Sequence, residues 1–261
     1  MNEQLPAGFL DLAHKLADAA GEVSMAFFRT PVDVNSKSDD SPVTIADRNA
    51  ELAMRRLIEE TFPEHGIYGE ETEKKNIDAE FVWVLDPIDG TQSFVTGKPL
   101  FGTLIGLAHN GSPVLGIMDM PALNERWVGC PGQQTTFNGK DVRVRACSSL
   151  DNAWLYATSP QMFDTEEFHC FESLRRKTRR AVYGAECYAY GLVANGSVDL
   201  VVEADLEPYD YCALAPIVTG AGGIMTDWHG KPLSIESDGR VIAAGDQKSH
   251  TAALESLVLQ S

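Results

Sequence analysis

Apolar residues in 8–29 recur at intervals of three and four: Leu12, Leu16, Ala19, Val23, Ala26 and Phe27. This period predicts an amphipathic helix, which Pro31 ends. The polar stretch 35–42 reads as a loop. A second helix is predicted over 44–61, with Ala50, Ala53, Met54, Leu57 and Ile58 on one face, and Phe62-Pro63 stops it. The period then shortens. Residues 81–85 form an apolar run rich in strand formers, broken by Asp86-Pro87, and Ile67-Tyr68 reads as a further strand. Runs 100–108 and 113–120 flank Asn110-Gly111, a hairpin signal, and Asn138-Gly139 marks another between 135–137 and 142–144. The first half therefore reads as two helices followed by a mostly antiparallel sheet.

From 151 onward strands and helices alternate, the mark of an α/β arrangement. Strands are predicted at 153–157, 181–183, 200–202, 224–227 and 241–244. Helices are predicted at 165–177, 185–195, 209–219 (breaking at Gly220) and 252–259. The boundary is expected near 147–150. It divides the chain into an N-terminal α+β domain, 1–147, and a C-terminal α/β domain, 148–261. Trp83, Trp154, Met118 and Met120 are expected in the core.

Composition narrows the function. The 261 residues are 44% hydrophobic and 23% charged, which suits a globular chain rather than a disordered one. No apolar run is long enough to cross a bilayer. The first 30 residues carry Glu3, Asp11, Asp18 and Glu22 among the apolar positions and lack a signal-peptide core, so a soluble, cytoplasmic protein is expected. Acids outnumber bases 38 to 21, giving a formal charge of -17, and this argues against a nucleic-acid binder. Such a surplus is either a solvated surface or acid gathered for a metal or a cationic substrate. Cys130, Cys147, Cys170, Cys187 and Cys212 are odd in number and lack a C-x-x-C pair, which fits a reducing compartment. His14, His65, His109, His169, His229 and His250 show no paired spacing, so a histidine metal site is not expected. Gly220–Gly223 follows a helix rather than a strand, so it is no dinucleotide fingerprint.

The informative segment is Trp83-Val84-Leu85-Asp86-Pro87-Ile88-Asp89-Gly90-Thr91. A buried strand delivers two carboxylates, and the chain turns at Gly90 into a helix starting near Thr91. Amides at such a turn suit a phosphate. Close carboxylates at the end of an apolar strand repel unless a cation lies between them, and Mg²⁺ prefers such oxygen donors. Read alone, D-x-x-D-G is also an ordinary capped turn. Other acids sit at similar junctions. Glu70-Glu71 follows a strand, Asp210 opens a late helix, and Asp47 lies in the first turn of the second helix. Alone, Asp47 and Asp210 read as helix-terminal acids and Glu70 or Glu71 as a surface glutamate.

Glu70-Glu71, Asp86-Pro87-Ile88-Asp89-Gly90-Thr91, and Tyr209-Asp210 followed by Gly220-Ala221-Gly222-Gly223 resemble the signature segments of the inositol-monophosphatase superfamily, magnesium-dependent and lithium-sensitive phosphomonoesterases. The likeness covers almost the whole chain. The run 86–105 is similar to the branch that hydrolyses L-histidinol phosphate in histidine biosynthesis, as are Glu186-Cys187-Tyr188-Ala189-Tyr190 and Glu207-Pro208-Tyr209-Asp210. Gln92 stands where that branch commonly has lysine, and Tyr209 replaces the tryptophan of the wider superfamily.

The resemblance implies an αβαβα layered sandwich, a homodimer, and two or three Mg²⁺ per subunit. It assigns Glu70, Asp86 and the Ile88 carbonyl to one ion. Asp86, Asp89 and Asp210 go to a second, and Glu70 acts through water on a third. Thr91 and Asp47, with Glu70, are implied as catalytic, and the Gly90 and Thr91 amides as phosphate binders. Glu186, Glu203 and Asp210 are implied to face the substrate. Histidinol phosphate carries cationic groups that suit an acidic wall, for which Glu186, Glu203, Asp205 and Glu207 are candidates. The alternatives are a phosphatase of inositol or another small sugar phosphate, a nucleotide 3′-phosphatase, and a catalytically silent ligand-binding homologue.

Overall fold

The computed structural model describes residues 5–30, 34–36 and 42–258. In chain order the elements are α1 (Phe9–Phe27), β1 (Val34–Ser36), β2 (Pro42–Thr44), α2 (Ile45–Thr61), β3 (Gly66–Gly69), β4 (Phe81–Asp89), α3 (Thr91–Val95), β5 (Gly102–His109), β6 (Ser112–Met120), β7 (Glu125–Gly129), β8 (Thr136–Phe137) and β9 (Lys140–Asp141). The second half adds β10 (Trp154–Ala157), α4 (Thr165–Arg175), β11 (Arg180–Tyr183), α5 (Tyr188–Ala194), β12 (Leu200–Glu203), α6 (Pro208–Tyr211), α7 (Leu214–Gly220), β13 (Ile224–Asp227), β14 (Val241–Ala244) and α8 (Gln247–Leu254).

Strands β3 to β9 form one sheet in sequence order, parallel only at β3/β4. The other large sheet runs β11-β10-β12-β14-β13, parallel across its first three strands and antiparallel beyond. Side chains alternate along a strand, so each sheet has two faces to cover. Trp83, Leu85, Ile105, Leu107 and Ile117 point to α1 and α2. Val84, Leu104, Met118 and Trp127 point the other way, onto α5 and α7, which also cover Val201 and Ala243 of the second sheet. Leu155, Leu200, Val202 and Ile242 face α4 and α8. The layers are therefore helix, sheet, helix, sheet, helix, which is the expected αβαβα sandwich.

Several elements differ from the sequence reading. Part of the 35–42 loop pairs as the ribbon β1/β2, while Pro31 and 37–41 lie outside the described residues. Strand β4 does not stop at Asp86-Pro87 but continues to Asp89. The Asn138-Gly139 turn closes on β9 rather than on 142–144, and the Val144 N–H goes to the Ala221 carbonyl. The helix at 185–195 is shortened to α5, and β7 was not foreseen. The predicted helix 209–219 is two helices, because Pro216 cannot continue a helix through Cys212. The chain restarts at Leu214, placing Pro216 in the first turn. The last helix begins earlier, at Gln247, where the Asp246 carboxylate accepts from the Ser249 amide at 3.0 Å, and residue 259 lies outside the described residues. Trp83, Met118 and Met120 are buried as expected, but Trp154 is 37% exposed, because its neighbour Leu155 takes the inward-facing position. The five cysteines are free thiols.

Candidate metal centre

In a regular strand, residues three apart project from opposite faces. Asp86 and Asp89 do not, because β4 bulges between them. Asp86 pairs with Leu104 and Asp89 with Gly102, so three steps on β4 oppose two on β5. Pro87 sits inside the bulge, where it has no N–H to leave unpaired, and its carbonyl accepts from the Thr103 hydroxyl at 2.8 Å. The bulge brings both carboxylates to one side. Asp210 of α6 joins them, and the ligand oxygens of the three lie within 4.8 Å of one another.

Asp86 is buried, and its Oδ1 has no hydrogen-bond partner in the protein. Asp89 accepts from the Cys187 amide at 2.8 Å, and Asp210 accepts from the Glu207 amide at 2.7 Å. Burial pushes the Asp86 carboxyl well above the usual carboxylate range, and the charges of Glu70, Asp89, Asp210 and Asp47 push it further. Burial likewise raises Asp210, reinforced by Asp89 and Glu70. Burial pushes Asp89 up to about 7, against the hydrogen bonding from Cys187. An unpartnered buried oxygen among mutually repelling carboxylates is what a hard divalent cation neutralises, so the donor set fits Mg²⁺.

Glu70 follows β3, and its amide donates to the Leu85 carbonyl at 3.2 Å, which holds it beside the approach to Asp86. Asp47 is buried in the first turn of α2. The Ile88 side chain is fully buried, and its carbonyl accepts from the Thr91 hydroxyl at 3.2 Å. Gly90 turns the chain into α3 with φ 80°, a left-handed conformation that favours glycine.

A cleft of about 650 Å³ opens beside these groups, without Asp86, Asp89 or Asp210 in its lining. Glu70, Gly90, Thr91 and Gln92 line one side, and Thr158, Ser159, Gln161, Met162 and Glu186 line the rest. The Glu186 carboxylate accepts from the Ser93 hydroxyl at 3.0 Å and lies 3.8 Å from the Lys98 ammonium. Glu203 lies directly behind this wall, near enough for its charge to act on Asp89 and Asp210. It is buried at the end of β12, accepts from the Thr158 amide at 2.7 Å and the Tyr190 hydroxyl at 2.8 Å, and is not among the residues lining the cleft. Burial raises its carboxyl, and those two hydrogen bonds oppose the rise. Asp205 and Glu207 are exposed. The sequence reading missed Ser93, Lys98, the Cys187 amide and the 158–162 wall. Their contacts span up to 98 residues, and no local pattern announces them. Another cleft, of about 500 Å³, contains Arg126, but that guanidinium is already engaged by Asp119 at 2.7 Å and Asp18 at 2.8 Å.

Among the described residues no helix is long and apolar enough to cross a membrane. The inositol monophosphatase family model matches residues 6–260. The chain is 49% identical over 258 residues to the chloroplastic bifunctional phosphatase IMPL2 of Arabidopsis thaliana, covering 95% of this chain and 75% of that protein. It is 36% identical over 236 residues to a histidinol-phosphatase of Chlorobaculum parvum, covering 90% and 91%. A solved inositol monophosphatase structure from Zymomonas mobilis shares 48% identity and a TM-score of 0.89, over 97% of this chain and 99% of that one. The chain belongs to the inositol monophosphatase family of phosphoric monoester hydrolases.

Proposed function

We propose that this chain hydrolyses L-histidinol phosphate to L-histidinol and phosphate with Mg²⁺ bound. The convergence of Asp86, Asp89 and Asp210, next to a cleft lined by Glu70, Gly90 and Thr91, supports the phosphatase reading. Glu70, Asp86 and the Ile88 carbonyl would hold one ion, and Asp86, Asp89 and Asp210 a second. Bound Mg²⁺ supplies Lewis acidity, which makes coordinated water more acidic and offsets phosphate charge. The remaining work is positioning and proton transfer by the chain itself. Thr91 and Asp47 orient the attacking water and take its proton, with Glu70 assisting. The Gly90 and Thr91 amides hold phosphate oxygens at the turn. In this reading residues 1–147 form a domain with most of the ligands, and 148–261 form one that adds Asp210 and substrate contacts.

The substrate reading rests on Glu186, a carboxylate at the cleft wall that suits an ammonium or imidazolium. Glu203 would act from behind that wall, through Thr158 and Tyr190. The histidinol-phosphatase name of the Chlorobaculum relative supports the same substrate. The Zymomonas neighbour, an inositol monophosphatase at 48% identity, supports a second reading with an inositol phosphate as substrate. Steady-state assays with Mg²⁺ decide between them. A higher kcat/KM for histidinol phosphate than for inositol 1-phosphate is expected, and the reverse order overturns the substrate assignment. Binding of Mg²⁺ without turnover of either ester would favour a silent homologue. The expected homodimer and cytoplasmic location belong to the same proposal, and sedimentation of the purified protein tests the dimer.

A further inference from the structure

Glu51 is a fully buried carboxylate on α2, outside the metal centre, and the proposed chemistry does not use it. Its Oε2 accepts from the Glu71 amide at 2.7 Å. Its Oε1 accepts from the Thr72 hydroxyl at 2.5 Å and from Arg55 Nε at 2.8 Å. Two of these three donors belong to the loop immediately after Glu70, twenty residues and more along the chain. Arg55 is itself mostly buried and also reaches the Thr72 carbonyl, at 3.5 Å. On the other side of Glu70, Gly69 leaves the room Glu51 needs, since a methyl group there would overlap the Glu51 carboxylate. A buried charge is retained at a cost in desolvation, and here both its oxygens are engaged in fixing one loop.

We infer that Glu51 is a positioning residue that locks the Gly69–Thr72 loop and so aims Glu70 at the cation site. The inference rests on Glu70 being a ligand, as proposed above. The carboxylate takes three donors at once. An amide in its place has one acceptor oxygen and sets its own N–H groups against a donor of the loop. Partners that orient metal ligands typically change metal affinity by about 10- to 100-fold when removed.

The test measures Mg²⁺ dissociation constants by calorimetry on the full chain, well below the melting temperature, together with melting curves in chelator. Glu51→Gln is expected to weaken Mg²⁺ binding by about tenfold or more. Thr72→Val, a milder change, is expected to weaken it by a smaller factor, and Thr72→Ser to restore it. A merely structural Glu51 would lower the melting temperature of Glu51→Gln and leave the Mg²⁺ constants of both variants at wild type, and that result overturns the inference. Glu70→Gln serves as the control. If it too binds Mg²⁺ like wild type, the ligand reading of Glu70 fails. If it alone is weakened, only the role of Glu51 fails.

Discussion

At the scale of single residues, the candidate metal centre is an internally repulsive arrangement. Asp86 has a buried oxygen without a partner and a carboxyl raised by burial and by four neighbouring acids. Asp210 is raised in the same way. Groups that contribute repulsion to the metal-free fold and a ligand to the loaded one have a recognisable mutational signature. Asp86→Asn and Asp210→Asn are each expected to reduce phosphatase turnover by at least about 100-fold. In chelator they should melt no lower than the wild type, because each replaces a carboxyl crowded by other acids with a neutral amide. Turnover assays and paired melting curves check this. A variant that keeps near-normal turnover, or one that unfolds in chelator, contradicts the assignment. Glu203 is a different kind of acid. Its carboxylate is already satisfied by Thr158 and Tyr190, so in the proposed function its effect on substrate would run through the wall it supports.

At the scale of elements, the centre depends on how closely the middle helices approach the first sheet. Gly116 of β6 lies directly under the start of α7, where a methyl group would overlap the backbone of Ala213. Only a glycine surface lets the helix settle there. Gly116→Ala is expected to destabilise the protein by about 1–3 kcal/mol, as overpacking does. The readout is the denaturant midpoint, and an unchanged midpoint would show that α7 is not seated by this contact. Helix α7 follows α6 by two residues, so the same substitution should also weaken Mg²⁺ binding through Asp210. The bulge in β4 is the other decisive element. If β4 ran regularly from Asp86 to Asp89 without the bulge, the two carboxylates would project to opposite faces of the sheet.

For the whole molecule, the acid cluster is expected to make stability depend on pH and on divalent cation. An aspartate titrates near 3.8 when unfolded, and Asp89 is held up to about 7 in the fold. The folded state therefore binds the proton more tightly. Its contribution is fully present below about pH 4 and is lost as pH rises through about 7. Asp86 and Asp210 shift in the same direction and add to the loss. In chelator the melting temperature is expected to fall between pH 5 and pH 8. Mg²⁺ at a hundred times its dissociation constant should add about 2.7 kcal/mol at pH 8. For a chain of this size that amounts to a rise of about 5–10 °C. Melting curves at the two pH values, with and without Mg²⁺, are the check. A flat pH response in chelator would mean that the carboxylates do not share one buried site.

The order of secondary structure was legible in the sequence, because burial on one face imposes a period that a single chain displays. That period located α1, α2, the hairpin at Asn110-Gly111 and the strands at 224–227 and 241–244. Asp86 and Asp89 stood out as well, since carboxylates at the end of an apolar strand conflict with their surroundings, whereas Asp210, on a helix, was singled out by the family resemblance. The sequence reading missed the split between α6 and α7, the outward turn of Trp154, and the withdrawal of Glu203 behind Thr158. Pro216 was a local sign of the split that the reading passed over, while the position of Glu203 depends on Thr158, 45 residues away. Whether two acids three apart on a strand oppose or join each other depends on a bulge registered against β5, and whether a loop glutamate is aimed depends on a carboxylate in α2. Periodicity is a property of neighbours along the chain. Convergence is a property of neighbours in space, and only the folded packing decides it.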